Sequence, residues 1–335
     1  MYKIKNEDLE HVACCPACNA KNWKHVSLVT VENVIVLRTS ECMICNLNHR
    51  TIRPKLEWFK KAWEERDQYQ KLEKIDFINP IIEKNRYDRY CFIYDELSLQ
   101  KPGIKLIDIG AGTGGGTVKF QEKGHDCIVL EPDASRRLVA ADIHSLKTDG
   151  RSIYDNIEDL GHFDICLLVH SLEHFHHPKE ALDQVNKIMS NDGLLYVEVP
   201  DYADAVKDWQ DALYLAHISN FSEYNLVKIL EASGFRVVKR CYPPAGKDGL
   251  NHLAMIFRKS SAAQFVSPVA KIGKSIREVY CPEGSNSDAL TEFRIPKVND
   301  ISLCYKPDLT VLDSVRENYN TRSIRKIDTN IYEIS

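Results

Sequence analysis

No stretch of this chain approaches the roughly 20 consecutive apolar residues that a membrane-spanning helix needs. The opening segment, MYKIKNEDLEHVACC, has no apolar core like that of a secretory signal. Positive charge is not in excess either. Lys and Arg number 44 against 48 Asp and Glu, a net charge of −4, which does not advertise the basic face of a nucleic-acid binder. Nucleic acid is therefore not an expected partner, and the expected location is the cytoplasm. The 11 cysteines then point to metal binding or simple burial, because disulfides are rare in a reducing compartment.

The first cysteines are ordered in pairs. Cys15-Pro-Ala-Cys18 and Cys42-Met-Ile-Cys45 are two C-x-x-C units, each able to wrap one side of a tetrahedral ion with two thiolates. Asn19 and Asn46 follow the pairs, and asparagine tolerates the left-handed backbone that a tight knuckle often needs. The intervening VSLVTVENVIVLRT is rich in β-formers and reads as a hairpin or small sheet joining the knuckles. The spacing predicts a zinc-ribbon-like module over residues 1–53, with Cys15, Cys18, Cys42 and Cys45 as ligands of a structural Zn²⁺. The alternatives are a redox C-x-x-C or ordinary buried thiols. Residues 54–79 carry Trp58, Phe59, Ala62 and Trp63 at helical spacing among charges, the pattern of a helical linker.

The centre of the chain is Lys105–Gly116, KLIDIGAGTGGG. An apolar strand ends at Asp108 and Ile109 and turns through glycines into a helix expected over Thr113–Lys123. Bare glycines at 110, 112 and 114 suit a positive φ or a backbone pressed close to a ligand. Gly110, Gly112 and Gly115 also satisfy G-x-G-x-x-G, so the glycines alone do not separate NAD from other adenosine ligands. Glu131 ends the next apolar run, Cys127–Leu130, where an acceptor can grip ribose hydroxyls. A helix over Ser135–Leu146 and a third strand near Arg151–Tyr154, with Asp155 at its end, follow. Phe163–Val169 is an apolar run expected to be a central strand buried on both faces.

LIDIGAGTG, VLEPD, FDICLLVHSLEHF and DGLLYVEVPD, in that order, resemble the class I S-adenosylmethionine (SAM) methyltransferases. The resemblance implies an α/β fold: a Rossmann-like seven-stranded sheet over residues 80–259, with the zinc module before it and an extension of unknown role over 260–335. It implies SAM as cofactor, with Asp108, Gly110, Gly112, Gly114, Glu131, Asp155 and His170 at its site. It also implies that a helix over Ile81–Leu97 can lie over the pocket, bringing Tyr87 and Tyr90 within reach of ligands. His217-Ile-Ser-Asn-Phe221-Ser222 resembles a stretch of small-molecule methyltransferases, including several that act on sugars. His217 is thus the first candidate base and His174 the second. His174 could instead cap the next helix or bond in the core.

The leading expectation is a SAM-dependent methyltransferase acting on a small molecule, a sugar or a nucleotide-sugar-linked intermediate. The alternatives are an RNA base methyltransferase with a zinc module, and a zinc-bearing interaction protein without catalysis. The tail mixes β-prone pieces such as Ile301–Tyr305 and Leu309–Leu312 with polar residues, and is expected to fold back or to join a homodimer or partner-enzyme interface.

Overall fold

The computed structural model describes residues 4–31, 34–61, 79–201, 216–244, 252–260, 291–295, 324–328 and 331–334. The chain divides into two compact units. One comprises Met1–Tyr69, Tyr202–Asn225 and Lys271–Ser335; the other comprises Gln70–Asp201 and Leu226–Ala270. The sequence reading placed residues 202–225 within the 80–259 stretch.

The first unit is a sheet. β1 (Leu9–His11), β2 (Trp23–Val31), β3 (Val34–Cys42) and β4 (Asn48–Pro54) are antiparallel neighbours in the order β1-β4-β3-β2. The valine-rich β2 and β3 pair as a hairpin, since branched side chains pack well on a pleated surface. One edge of β4 is divided: β1 pairs with Ile52–Pro54, and β10 (Ser219–Asn220) pairs with Asn48 and His49. Every residue of β4 is buried, Arg50 and Arg53 included. Buried guanidinium groups need partners. Arg50 donates to the His217 carbonyl at 3.2 Å and to Thr39 Oγ1. Arg53 donates to Glu10 Oε1 at 2.5 Å and bonds His49 Nε2. The extension contributes β13 (Thr291–Ile295), parallel to β2, then β15 (Ile331–Ile334) and β14 (Ile324–Asp328). The β-prone pieces at 301–305 and 309–312 lie outside the described residues. Of the expected linker helix, residues 56–61 are helical, with Trp58 and Phe59 buried edge to face; Trp63 lies outside the described residues.

The second unit is the expected seven-stranded sheet. Its strands are β5 (Lys105–Ile109), β6 (Asp126–Leu130), β7 (Lys147–Asp149), β8 (Phe163–Val169), β9 (Met189–Pro200), β11 (Phe235–Cys241) and β12 (His252–Lys259), in the order β11-β12-β9-β8-β5-β6-β7. β5 to β9 run parallel, and β12 is antiparallel to both β9 and β11, as the resemblance implied. The connections leave β5 toward β6 and β8 toward β9, in opposite directions. The β5/β8 border is therefore a switch point, where open α/β sheets leave a crevice at the strands' carboxyl ends.

Two expected elements are corrected. The third strand is Lys147–Asp149, not Arg151–Tyr154. Arg151 folds back to clasp Asp149 (Nη2 to Oδ2, 2.8 Å) and Asn156 O (2.7 Å), which turns the chain. Asp155 lies in that turn, accepting the Ser152 N–H at 2.7 Å. The first helix after β5, α2, is Val118–Glu122, and does not start at Thr113. Left-handed Gly112 and Gly114 (φ 60° and 74°) interrupt any helix there, and residues 111–117 form turns. α1 (Pro80–Leu97), α3 (Ala134–Asp142), α4 (Pro178–Ile188) and α5 (Glu223–Ala232) complete the helices used below.

Candidate active site

The loop leaving β5 has the backbone its glycines suggested: Gly110, Gly112 and Gly114 have φ of 75°, 60° and 74°. Their surroundings differ. A Cβ on Gly110 would press on Ser171 Cβ at 2.9 Å, and one on Gly114 would strike Leu146 and Ala140. A Cβ on Gly112 would meet nothing closer than Arg136 Nη1 at 3.9 Å and Arg86 Nη2 at 4.0 Å. A Cβ on Gly112 would thus make only ordinary contacts with two arginine side chains, whereas the other two glycines are bare because protein packs on them.

Two carboxylates hold the loop. Asp108 is fully buried; its Oδ2 accepts from Tyr90 OH at 2.8 Å and Thr117 Oγ1 at 2.5 Å. Burial lifts its pKa to about 6 against those two donors. Its Oδ1 is buried with no partner among the described residues, an unsatisfied acceptor of the kind that marks a ligand position. Glu131, 7% exposed, accepts the Gly112 N–H on Oε2 and the Asp133 N–H on Oε1, each at 2.9 Å. Burial raises its pKa as well. Each oxygen of Glu131 keeps a second lone pair for a hydroxyl.

α1 packs directly on this loop, which accounts for two further glycines. A Cβ on Gly115 would fall inside the Glu83 carboxylate, and one on Gly116 inside the Tyr90 ring. Glu83 Oε1 accepts from Thr113 Oγ1 at 2.8 Å and Arg86 Nη1 at 2.6 Å. Tyr90 is therefore in the site, through Asp108. Tyr87 instead donates to Glu122 at 2.5 Å, on an exposed flank.

Beyond β8, the chain turns sharply at His170, which is left-handed at φ 52°. Its Nε2 lies 3.1 Å from Glu198 Oε1 and its Nδ1 3.5 Å from Glu173 Oε1; His252 meets the ring edge-on, centroids 4.7 Å apart. Burial disfavours the imidazolium, but the hydrogen bonds and charges of Glu173 and Glu198 outweigh it and raise the pKa to about 10. Glu198 has no exposed surface and also takes Arg89 Nη1 at 2.9 Å and Tyr196 OH at 2.7 Å. Sequence reasoning missed Arg89, Glu198 and His252. Glu198 did leave a signal, as the one acid inside the apolar run Leu194–Val199. Ser171 Oγ and Glu173 Oε2 are buried without a hydrogen-bond partner among the described residues. His174 ends a short 3-10 turn, its Nε2 3.9 Å from Glu173 Oε1. It does not cap α4, whose N-cap position is His177.

Residues 82–240 match a family model described as a methyltransferase domain. The chain is similar to C-methyltransferase NovU from Streptomyces niveus, 28% identical over 142 residues, 41% of this chain and 34% of that protein. It thus spans about a third of that relative's length. It is also similar to an uncharacterized methyltransferase from Staphylococcus carnosus, 25% identical over 58% of this chain and 90% of that one. Among solved structures, 1,6-didemethyltoxoflavin-N1-methyltransferase from Burkholderia thailandensis, with 1,6-didemethyltoxoflavin and S-adenosylhomocysteine bound, resembles 65% of this chain and 98% of its own. The TM-score is 0.46 and the identity 17%.

The methyltransferase domain match excludes the four cysteines, which belong to the first unit. Cys15, Cys18, Cys42 and Cys45 bring their sulfur atoms within 4.8 Å of one another. Cys15–Cys45 and Cys18–Cys42 are 3.5 Å apart, against about 3.8 Å for sulfurs on one tetrahedral zinc with 2.3 Å bonds. The knuckles repeat each other: Asn19 N–H donates to Cys15 O and Asn46 N–H to Cys42 O, both at 2.8 Å, with the asparagines at φ 59° and 56°. The hydrogen bond from Cys45 pulls the Cys15 thiol down to about 6, against burial. The donor set and its geometry suit zinc. His217 lies inside the methyltransferase domain match but in the first unit, just before β10, its carbonyl held by Arg50.

Proposed function

We propose that the protein is a SAM-dependent methyltransferase acting on a small molecule, a sugar or a nucleotide-sugar-linked intermediate. One observation carries this reading. Glu131, closing β6, clasps the N–H of Gly112, the single loop glycine at which an added Cβ would clash with no protein atom. A seat of this build suits an adenosine ligand with its ribose at Glu131. The unpartnered Oδ1 of Asp108 suits a cationic donor such as an ammonium group. Gly110 and Gly114 give the loop its path, and Asp155 and His170 flank it in the reading from resemblance. The similarity to a C-methyltransferase supports methyl transfer to a small acceptor.

SAM would supply a methyl group on a sulfonium, displaced in line by the acceptor. The protein's part is to orient the two and exclude water. A hydroxyl or carbon acid must also lose a proton, and histidine suits that task near neutral pH. His217 is the first choice and His174 the second. His170 suits it poorly, since both its ring nitrogens face carboxylates that hold it protonated. The four cysteines hold a structural zinc in this reading, with no open position for catalysis.

Calorimetry with SAM, S-adenosylhomocysteine and NAD tests the cofactor: saturable binding of the first two and none of NAD is expected. Binding of NAD alone would refute it. Labelled SAM with a panel of free sugars and nucleotide sugars then tests the acceptor.

A further inference from the structure

We propose that Arg86 selects the cofactor by its carboxylate, gripping the α-carboxylate at the methionine end of SAM. The proposal rests on the SAM reading above and names a residue that neither the motif nor the resemblance supplied.

Glu83, Arg86 and Tyr90 lie three and four residues apart on α1 and so share one helix face. All three work on the glycine loop: Glu83 on Thr113, Tyr90 on Asp108, and Arg86 on Thr113 Oγ1 at 2.7 Å. The Arg86 guanidinium is anchored through one nitrogen only. Nη1 donates to Glu83 Oε1 and Thr113 Oγ1. Nη2 makes no hydrogen bond among the described residues and lies 4.0 Å from a Cβ built on Gly112, beside the loop's one unclashed glycine. A planar fork fixed by one arm presents the other in a set direction, which suits a carboxylate.

The ligand's chemistry follows from the pair of groups left over. Arg86 Nη2 calls for an anion. Asp108 Oδ1, buried and unpartnered, calls for a donor. Both groups border the same loop, and an ammonium and a carboxylate on one carbon, as at the amino-acid end of SAM, would answer both. A pyrophosphate offers anionic oxygens but no donor for Asp108. Arg136 also borders Gly112, but it stands 3.7 Å from Asp133 and beside Glu131, on the ribose side.

The test is calorimetry on the full chain with SAM and with decarboxylated SAM, which keeps the sulfonium and ammonium but lacks the carboxylate. A charge-assisted pair lost without replacement costs roughly 10- to 100-fold in affinity. The wild type should prefer SAM by about that factor. Arg86→Gln should erase the preference by weakening SAM about 10- to 100-fold more than decarboxylated SAM. Equal weakening of both ligands would mean that Arg86 only braces the loop, and would overturn the proposal. Loss of the preference in Arg136→Gln instead would also overturn it. If wild type binds both ligands equally, the carboxylate claim fails while the SAM reading stands; if it binds neither, both fail.

Discussion

Glu198 and His170 are joined twice, at the ends of neighbouring central strands. The His170 N–H donates to the Glu198 carbonyl at 2.9 Å, and His170 Nε2 meets Glu198 Oε1 at 3.1 Å. Arg89 brings α1 into the same carboxylate, so three elements converge on one buried acid.

His170 should therefore stay protonated well above neutrality, and NMR should place its titration near pH 10 rather than 6.5. The sign follows from linkage. A pKa raised in the folded state adds stability that is complete below pH 6.5 and lost as pH rises through about 10. Glu198→Gln should return the titration toward 6.5. Glu198→Ala, which strands Arg89, should cost about 3–5 kcal/mol in denaturant unfolding. A His170 titration unmoved by Glu198→Gln would show that the pair is not coupled.

Gly112 and Gly116 should fail differently. Gly112→Val places a branched side chain at a strained φ of 60°, where its Cβ meets only Arg136 and Arg86 at about 4 Å. It should abolish SAM binding in calorimetry while the chain still folds. Gly116→Ala drives a Cβ into the Tyr90 ring and should lower the melting temperature even without ligand. Retained SAM binding in Gly112→Val would remove that glycine from the site.

Elemental analysis of freshly purified, never-chelated protein should find one zinc per chain, held by Cys15, Cys18, Cys42 and Cys45. Cys42→Ser should unfold the first unit's sheet, since Cys42 is the last residue of β3, paired with Trp23 of β2. The SAM site has none of its residues among these cysteines, so SAM binding should survive in the variant. Metal-free native protein would refute the assignment.

His217→Ala should lose about 10²–10⁴-fold in turnover, the usual range for a general base, with SAM affinity near wild type. The pH–rate profile should lose its limb near neutrality. His174→Ala serves as the comparison, since His174 sits beside Glu173 on the β8 edge. Full activity of His217→Ala on the true acceptor would place the base elsewhere.

What the sequence announced was local. The glycine conformations, the two knuckles and Glu131 are each written within a few residues, so spacing reaches them. The seven-stranded order came from resemblance to a family. The rest is set by distant partners. Nothing near Gly115 and Gly116 says that Glu83 and Tyr90 will press on them. Arg89, His170, Glu198 and His252 come from four places along the chain and meet only through β-sheet order and the packing of α1. Arg151–Tyr154 has the look of a strand until Arg151 is seen to spend its donors on Asp149 and Asn156.

The divided edge of β4 has a consequence for the order of synthesis. Asn48 and His49 emerge from the ribosome long before Asn220 and Ser219, their partners on β10. Until the chain has been made past residue 220, that half of the edge has no strand to pair with and His49 lacks its serine. The first unit cannot be completed by its own amino terminus. A fragment cut at residue 69 should carry an unpaired edge at Asn48 and His49, the edge that β10 closes in the full chain.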